Sequence, residues 1–256
     1  MIVRKSPLEL DKMRESGRLV ARVLAEMRSI VEPGLTTMDL EVVADKMITD
    51  AGAKAAFKGY YAPSAGTRFP AVLCTSVNEE VIHGIPSKKR VLKEGDIVKV
   101  DCGVLLDGYY GDSATSIPVG KVAPAAERLM KITQESLSLA IDQMVNGRRL
   151  FDVCGAVQKH VESNGYSVVR EFVGHGIGKK LHEEPQVPNY VDSNVRNPRL
   201  REGMVLAIEP MVAAGKPATH VLSDRWTAVT SDGSNAAHFE HCVAITNNGP
   251  WILTEV

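Results

Sequence analysis

The stretch VKVDCGVLLDGYYGDSATSIPVG constrains this chain most. An apolar, β-branched run, IVKVDCGVLL, meets Asp107-Gly108, a strong two-residue turn signal, and YYGDSATSIPV returns from it. With those two residues in the turn, Leu106 pairs with Tyr109, Gly103 with Asp112, and Asp101 with Ala114. Side chains alternate along a strand, so Asp101 and Gly103 share a face, and Asp112 joins them from across the hairpin. The two aspartates are then diagonal neighbours, roughly 7–8 Å apart at the backbone. Two like charges on one buried face are costly unless a positive charge sits between them, and carboxylate oxygens suit a divalent cation. An exposed hairpin with two solvated aspartates satisfies the same local pattern. The rest of the chain decides between them.

Composition removes several classes of function. The chain has 256 residues, 44% hydrophobic and 24% charged, enough for a sizeable core. Its formal net charge of −1 offers no basic excess for DNA. No apolar run is long enough to cross a membrane, and MIVRKSPLEL lacks a signal-peptide apolar region. Cys74, Cys102, Cys154 and Cys242 are widely spaced, without a C-x-x-C pair. That pattern fits reduced thiols and predicts a cytoplasmic location.

Four helices are expected. Ser6, Pro7 and Glu9 form a helix start with a capping box, and the helix runs to about Val31. A second follows Thr36 or Thr37 and closes at Gly52. Pro124 opens a third, expected to reach Asn146-Gly147, and LFDVCGAVQKHVESNG is the fourth. Between the second helix and the hairpin lie an aromatic, glycine-rich loop, FKGYYAPSAGTRFP, and a strand and turn ending in His83-Gly84-Ile85-Pro86.

An offset of 113 positions superposes Gly34 on Gly147, Asp39 on Asp152, Leu40 on Val153, Ile48 on Val161 and Gly52 on Gly165. Agreement of turn glycines, helix start and apolar spacing predicts a duplicated α+β unit, with halves of about 1–120 and 121–256 in a single catalytic domain. Such halves would face each other around one site, so the second half must supply ligands of its own. It offers His175 and His182 in a glycine-rich segment, Glu209 interrupting an apolar strand, and Glu240 heading another. A carboxylate in an apolar strand is expensive unless it is paired or bound to metal. Four carboxylates and an imidazole suit two ions such as Mn, Fe, Co or Zn, held about 3.5–4 Å apart around a water. Metal-assisted amide hydrolysis is the expected chemistry. His160 and His220 show no partner pattern. His238 and His241 flank Glu240 and are expected to face away from it.

At HGIP, DGYYGD with Asp101 upstream, VVREFVGHGIGKKLHEEPQVP, IEPM and FEH, the chain resembles the methionine aminopeptidases of the shorter, bacterial type 1 class, over essentially its whole length. The resemblance implies the α+β pita-bread fold shared with prolidase and creatinase: two pseudo-symmetric halves and a central curved antiparallel sheet covered by helices. It places metal ligands on Asp101, Asp112, His175, Glu209 and Glu240. Asp112 and Glu240 would bridge both ions, Asp101 would chelate one, and His175 with Glu209 would complete the other. Glu209 would also be the general base. His182 would contact the scissile carbonyl, and His83 the substrate's backbone nitrogen. The methionine pocket would include Phe69, Cys74, Leu181 and Trp226, with Tyr60 or Tyr61 contributing. The implied partner is the N-terminal methionine of nascent polypeptides with a small second residue, met near the ribosome by a monomer.

Two other readings share these residues. One is an X-Pro peptidase on the same fold. Against it, the chain lacks the N-terminal domain of aminopeptidase P and prolidase, as it lacks a Cys/His zinc module and a large insertion in its second half. The other is a metal-free binding protein, which would have no need for five buried polar ligands.

Overall fold

The computed structural model describes residues 2–256. The first half contains α1 (Pro7–Ile30), α2 (Thr37–Asp50) and the short strands β1 (Lys54–Ala55), β2 (Tyr61–Ala62) and β3 (Thr67–Arg68). It continues with β4 (Leu73–Val77), β5 (Glu80–Ile82), β6 (Ile97–Leu106) and β7 (Tyr109–Pro118). The second half opens with α3 (Pro124–Ile141), α4 (Leu150–Ser163), β8 (Ser167–Val168), β9 (Gly174–Gly176) and β10 (Glu183–Val187). It ends with β11 (Val205–Ile208), β12 (Met211–Ala213), β13 (Thr219–Val221), β14 (Ala228–Thr230), β15 (Ala236–His238), β16 (His241–Thr246) and β17 (Gly249–Ile252).

The hairpin forms in the expected register: Leu106 opposite Tyr109, Gly103 opposite Asp112, Asp101 opposite Ala114. Asp107 and Gly108 both have positive φ, as the tight turn requires. Alternation then sorts β6 into two faces. Val98, Val100, Cys102 and Val104 pack under α1 and α2 in one apolar core with Val20, Met27, Leu40 and Leu73. Lys99, Asp101 and Gly103 occupy the other face. A second core joins α3 and α4 to β11 and β16 through Leu129, Leu137, Val153, Val157, Leu206 and Val243.

β7 joins the halves. Glu240 N–H donates to Ala114 O at 2.9 Å, and Cys242 Sγ lies 3.0 Å from Asp112 O. The Ser113 hydroxyl donates to Glu240 O, and Ser116 exchanges hydrogen bonds with the His238 backbone at 2.8 and 2.9 Å. These contacts lay the chain from His238 to Cys242 along the strand that carries Asp112.

Three local expectations need correction. Helix α3 stops at Ile141, short of Asn146-Gly147. Beyond it the chain tightens, with Gln143 N bonding Ala140 O and Met144 N bonding Ile141 O, and Met144 turns fully into the core. The strand-and-turn before His83 is two strands, β4 and β5, separated by Asn78 at φ 55°. The apolar run around Glu209 is also two strands, in two different sheets, with Glu209-Pro210 at the switch. Pro210 cannot donate to a ladder, so one continuous strand was never available.

Candidate metal centre

A cavity of about 490 Å³ opens between the halves. Asp101 and Asp112 reach it from the hairpin, His175 from β9, Glu209 from the break after β11, and Glu240 from the break before β16. Asp112, His175 and Glu240 are buried and each offers a ligand atom, all within 4.8 Å of one another. Glu209 Oε1 lies 3.7 Å from His175 Nε2, and Asp112 Oδ2 lies 3.9 Å from the same nitrogen. Asp101 lines the same cavity beside Asp112, diagonal to it across the hairpin.

Glycine lets His175 into this position. A Cβ at Gly174 would sit 2.4 Å from Ala207 O, and one at Gly176 would sit 2.2 Å from Glu184 O. Only bare backbone fits between β10 and β11 on either side of the histidine. His175 Nδ1 donates to Gly176 O at 2.9 Å. That bond fixes the tautomer and leaves the Nε2 lone pair aimed at the carboxylates. Burial holds the imidazole neutral, with its pKa lowered to about 3.

The electrostatics call for a cation. Burial raises Asp101 to about 7. It also raises Asp112 well above the usual carboxylate range, with the charges of Glu240 and Asp101 adding to the effect. Glu209 and Glu240 are raised in the same way, first by burial and then by neighbouring carboxylates. Among the described residues, no lysine or arginine forms an ion pair with any of the four. Asp101 Oδ1, Asp112 Oδ1 and Glu240 Oε1 are buried without a hydrogen-bond partner. Unpaired buried oxygens of this kind cost several kcal/mol in isolation, of order 2–7 each by transfer measurements. Oxygen-rich donors with one neutral imidazole fit divalent metal ions.

Beside the carboxylates the cavity is apolar. Phe69 and Trp226 meet edge to face at 5.1 Å, in a cluster with Cys74 and Ala65. Cys74 pairs with Asp101 across β4 and β6, which puts its thiol on the site face. Leu181 lines the cavity and also packs into the core around Ile177 and Val205. Tyr60 lines it, with its hydroxyl 3.0 Å from His182 Nδ1, whereas Tyr61 is exposed and lies off the cavity wall. His182 meets His175 edge to face, with 4.3 Å between ring centroids. His83 has φ 60° and stands edge-on to Phe172 and Trp226. Gly84 holds it there by close approach: a Cβ would sit 2.2 Å from Thr75 O. Burial lowers His83 to about 4, so its ring is neutral.

His238 departs from the sequence expectation. It faces the site, with Nε2 3.8 Å from Glu209 Oε2. It stands two positions before Glu240, and in extended chain residues two apart share a side. That spacing was the signal available in the sequence. His241 does face away, bonding Thr254. His160 pairs with Glu135 at 3.0 Å, and exposed His220 lies 3.4 Å from Ser231 Oγ.

Comparison with known proteins agrees with this geometry. Residues 11–247 match the model of metallopeptidase family M24. The methionine aminopeptidase of Clostridium acetobutylicum is 50% identical over 254 residues, 99% of each chain. The crystal structure of methionine aminopeptidase from Thermotoga maritima superposes with a TM-score of 0.94, at 46% identity and full coverage of both chains. Prolidase from Pyrococcus furiosus, at 20% identity, shares the fold with a TM-score of 0.78, over 99% of this chain and 66% of its own. The fold is therefore the pita-bread architecture, and the chain belongs to metallopeptidase family M24 and, within it, to the methionine aminopeptidases.

Proposed function

We propose that this protein removes the N-terminal methionine from polypeptides whose second residue is small, using two divalent ions held by Asp101, Asp112, His175, Glu209 and Glu240. The observation that carries the reading is the buried carboxylate cluster, unpaired with any lysine or arginine among the described residues, directly beside an apolar, aromatic pocket. When bound, the ions would acidify a water and polarise the scissile carbonyl.

The chain's own residues supply the rest. Glu209 is the general base. Its side chain stays about 13% exposed, on the cavity, and its backbone carbonyl is fixed by Asn189 Nδ2 at 2.9 Å. It takes the proton of the attacking water and passes it to the leaving amine. The Tyr60 hydroxyl donates to His182 Nδ1, which leaves the His182 proton on Nε2, free to donate to the carbonyl oxygen as negative charge develops. Neutral His83 stands near the substrate's backbone nitrogen and hydrogen-bonds the intermediate. Phe69, Cys74 and Trp226 enclose the methionine side chain, and the soft thioether suits their aromatic edges. The rings of Tyr60, His83 and Phe172 line the same cavity, and we assign to them the restriction to a small second residue. The substrate is met as a nascent chain near the ribosome, by a monomer in the cytoplasm. Four buried free cysteines fit that reducing compartment.

The test is methionine release from Met-Ala-Ser and Met-Lys-Ser by protein reconstituted with Mn or Co. The first peptide should be cleaved at least about tenfold faster in kcat/KM, a difference of about 1.4 kcal/mol. Equal rates, or no release with any divalent metal, would refute the reading.

A further inference from the structure

His238 is the most deeply buried polar side chain at the site that the proposed chemistry leaves without work. It is 1% exposed, and neither ring nitrogen has a hydrogen-bond partner. An unsatisfied imidazole in a protein interior is destabilising, so its retention calls for a reason. Its place is rigidly set. The backbone N–H donates to Ser116 Oγ at 2.9 Å, and the carbonyl accepts the Ser116 hydroxyl at 2.8 Å. Ser116 shares a face of β7 with Asp112, so the strand that carries a proposed ligand also fixes this histidine.

The Glu209 carboxylate lies between two imidazoles. Oε1 is 3.7 Å from His175 Nε2, and Oε2 is 3.8 Å from His238 Nε2. His175 belongs to the cluster of candidate ligand atoms with Asp112 and Glu240. The two oxygens of the Glu209 carboxylate are thus bracketed by different imidazoles, Oε1 by His175 and Oε2 by His238. Separations of this size are common at catalytic sites before substrate binds, and they shorten in the reacting complex.

We infer that His238 is a positioning residue for Glu209: its Nε2–H holds Oε2 so that the carboxylate plane presents one oxygen to the metal side and the other to the water. This inference rests on Glu209 being the general base. Without His238 the carboxylate keeps its place on the chain and loses its orientation. Turnover falls, while substrate and metal affinity remain. A ring that merely fills space under Glu209 would be replaced without loss by an apolar side chain of similar size.

The experiment compares H238L, H238Q, E209Q and the E209Q/H238L double variant. Turnover on Met-Ala-Ser is measured with Mn-loaded protein, and Mn affinity by calorimetry on metal-stripped protein. H238L is expected to lose about 10–100-fold in kcat, the usual range for a group one contact removed from the metal, with KM and Mn affinity within about threefold of wild type. H238Q, whose amide restores an N–H donor, is expected to recover to within about threefold of wild-type kcat. In the E209Q background the H238L step should shrink to under about threefold, because the group it orients is gone. Wild-type kcat in H238L, or an equal fall in H238Q and H238L, would overturn the inference with the Glu209 reading intact. Mn affinity falling in step with kcat would overturn it by making His238 a ligand. Wild-type turnover in E209Q would remove the general-base reading, and this inference with it.

Discussion

Glu41 does as much for the site as some residues that line it. It sits on α2, buried, and accepts the backbone N–H of Val72 at 2.7 Å and of Leu73 at 2.9 Å. Those bonds fix the entry to β4, the strand that places Cys74 opposite Asp101. Burial raises the Glu41 pKa even though both N–H donors favour its charge. Truncation in E41A would leave two buried donors unpaired, so a loss of about 2–4 kcal/mol is expected in urea unfolding, and E41Q should keep part of it. A loss below about 0.5 kcal/mol in E41A would contradict this role. Glu41, Lys99 and His238 share one reason for being hard to read from sequence. Each is a polar residue whose neighbour comes from a distant element: Val72 for Glu41, the Asn78 carbonyl at 2.6 Å for Lys99, and Glu209 at 3.8 Å for His238. Local pattern marks such residues as surface. Asp101 and Asp112 were easier to single out because the Asp107-Gly108 turn registers them on one face, and Glu209 and Glu240 because each lies in or at the head of an apolar run, where a charge has no cheap place.

At the scale of elements, legibility followed the strength of the punctuation. Asp107-Gly108 allows one tight turn, and the whole β6–β7 register follows from it. Ser6 and Glu9 mark the start of α1, and both arms of the capping box form. The end of α3 has no glycine or proline until Gly147, so nothing local marks Ile141 as its last residue. The switch at Glu209-Pro210 is signalled by proline, but the two sheets it connects are a tertiary matter. The α1 cap carries a pH signature. The Ser6 backbone N–H, the Tyr109 hydroxyl and the Ser6 hydroxyl hold Glu9 at about 2, below its usual 4.5. A depressed acid stabilises the fold fully above its unfolded pKa, and that contribution fades as pH falls toward the folded value. The stability gap between wild type and E9Q should therefore narrow steadily from pH 5 to pH 3 in urea unfolding. A gap that stays constant over that range would contradict the cap's ionic character.

For the whole molecule, each half builds its own apolar core from a helix pair and a sheet, and the seam between them runs along β7. The first half alone brings two carboxylates, and the second brings two more and an imidazole. Neither set encloses the cavity without the other. Hydroxyls on β7 set the distance across the seam, since Ser113 and Ser116 grip the chain at Glu240 and His238. The fold thereby gathers four buried carboxylates whose ionised forms divalent cations would balance, next to a pocket lined by apolar and aromatic side chains. The central claim is that Asp112 and Glu240 stand between two ions. Anomalous diffraction from crystals grown with Mn tests it most directly. The account predicts two peaks about 3.5–4 Å apart, both bounded by Asp112 and Glu240, one also touching Asp101 and the other His175 and Glu209. No peak in the cavity, or peaks whose neighbours exclude Asp112 and Glu240, would contradict it.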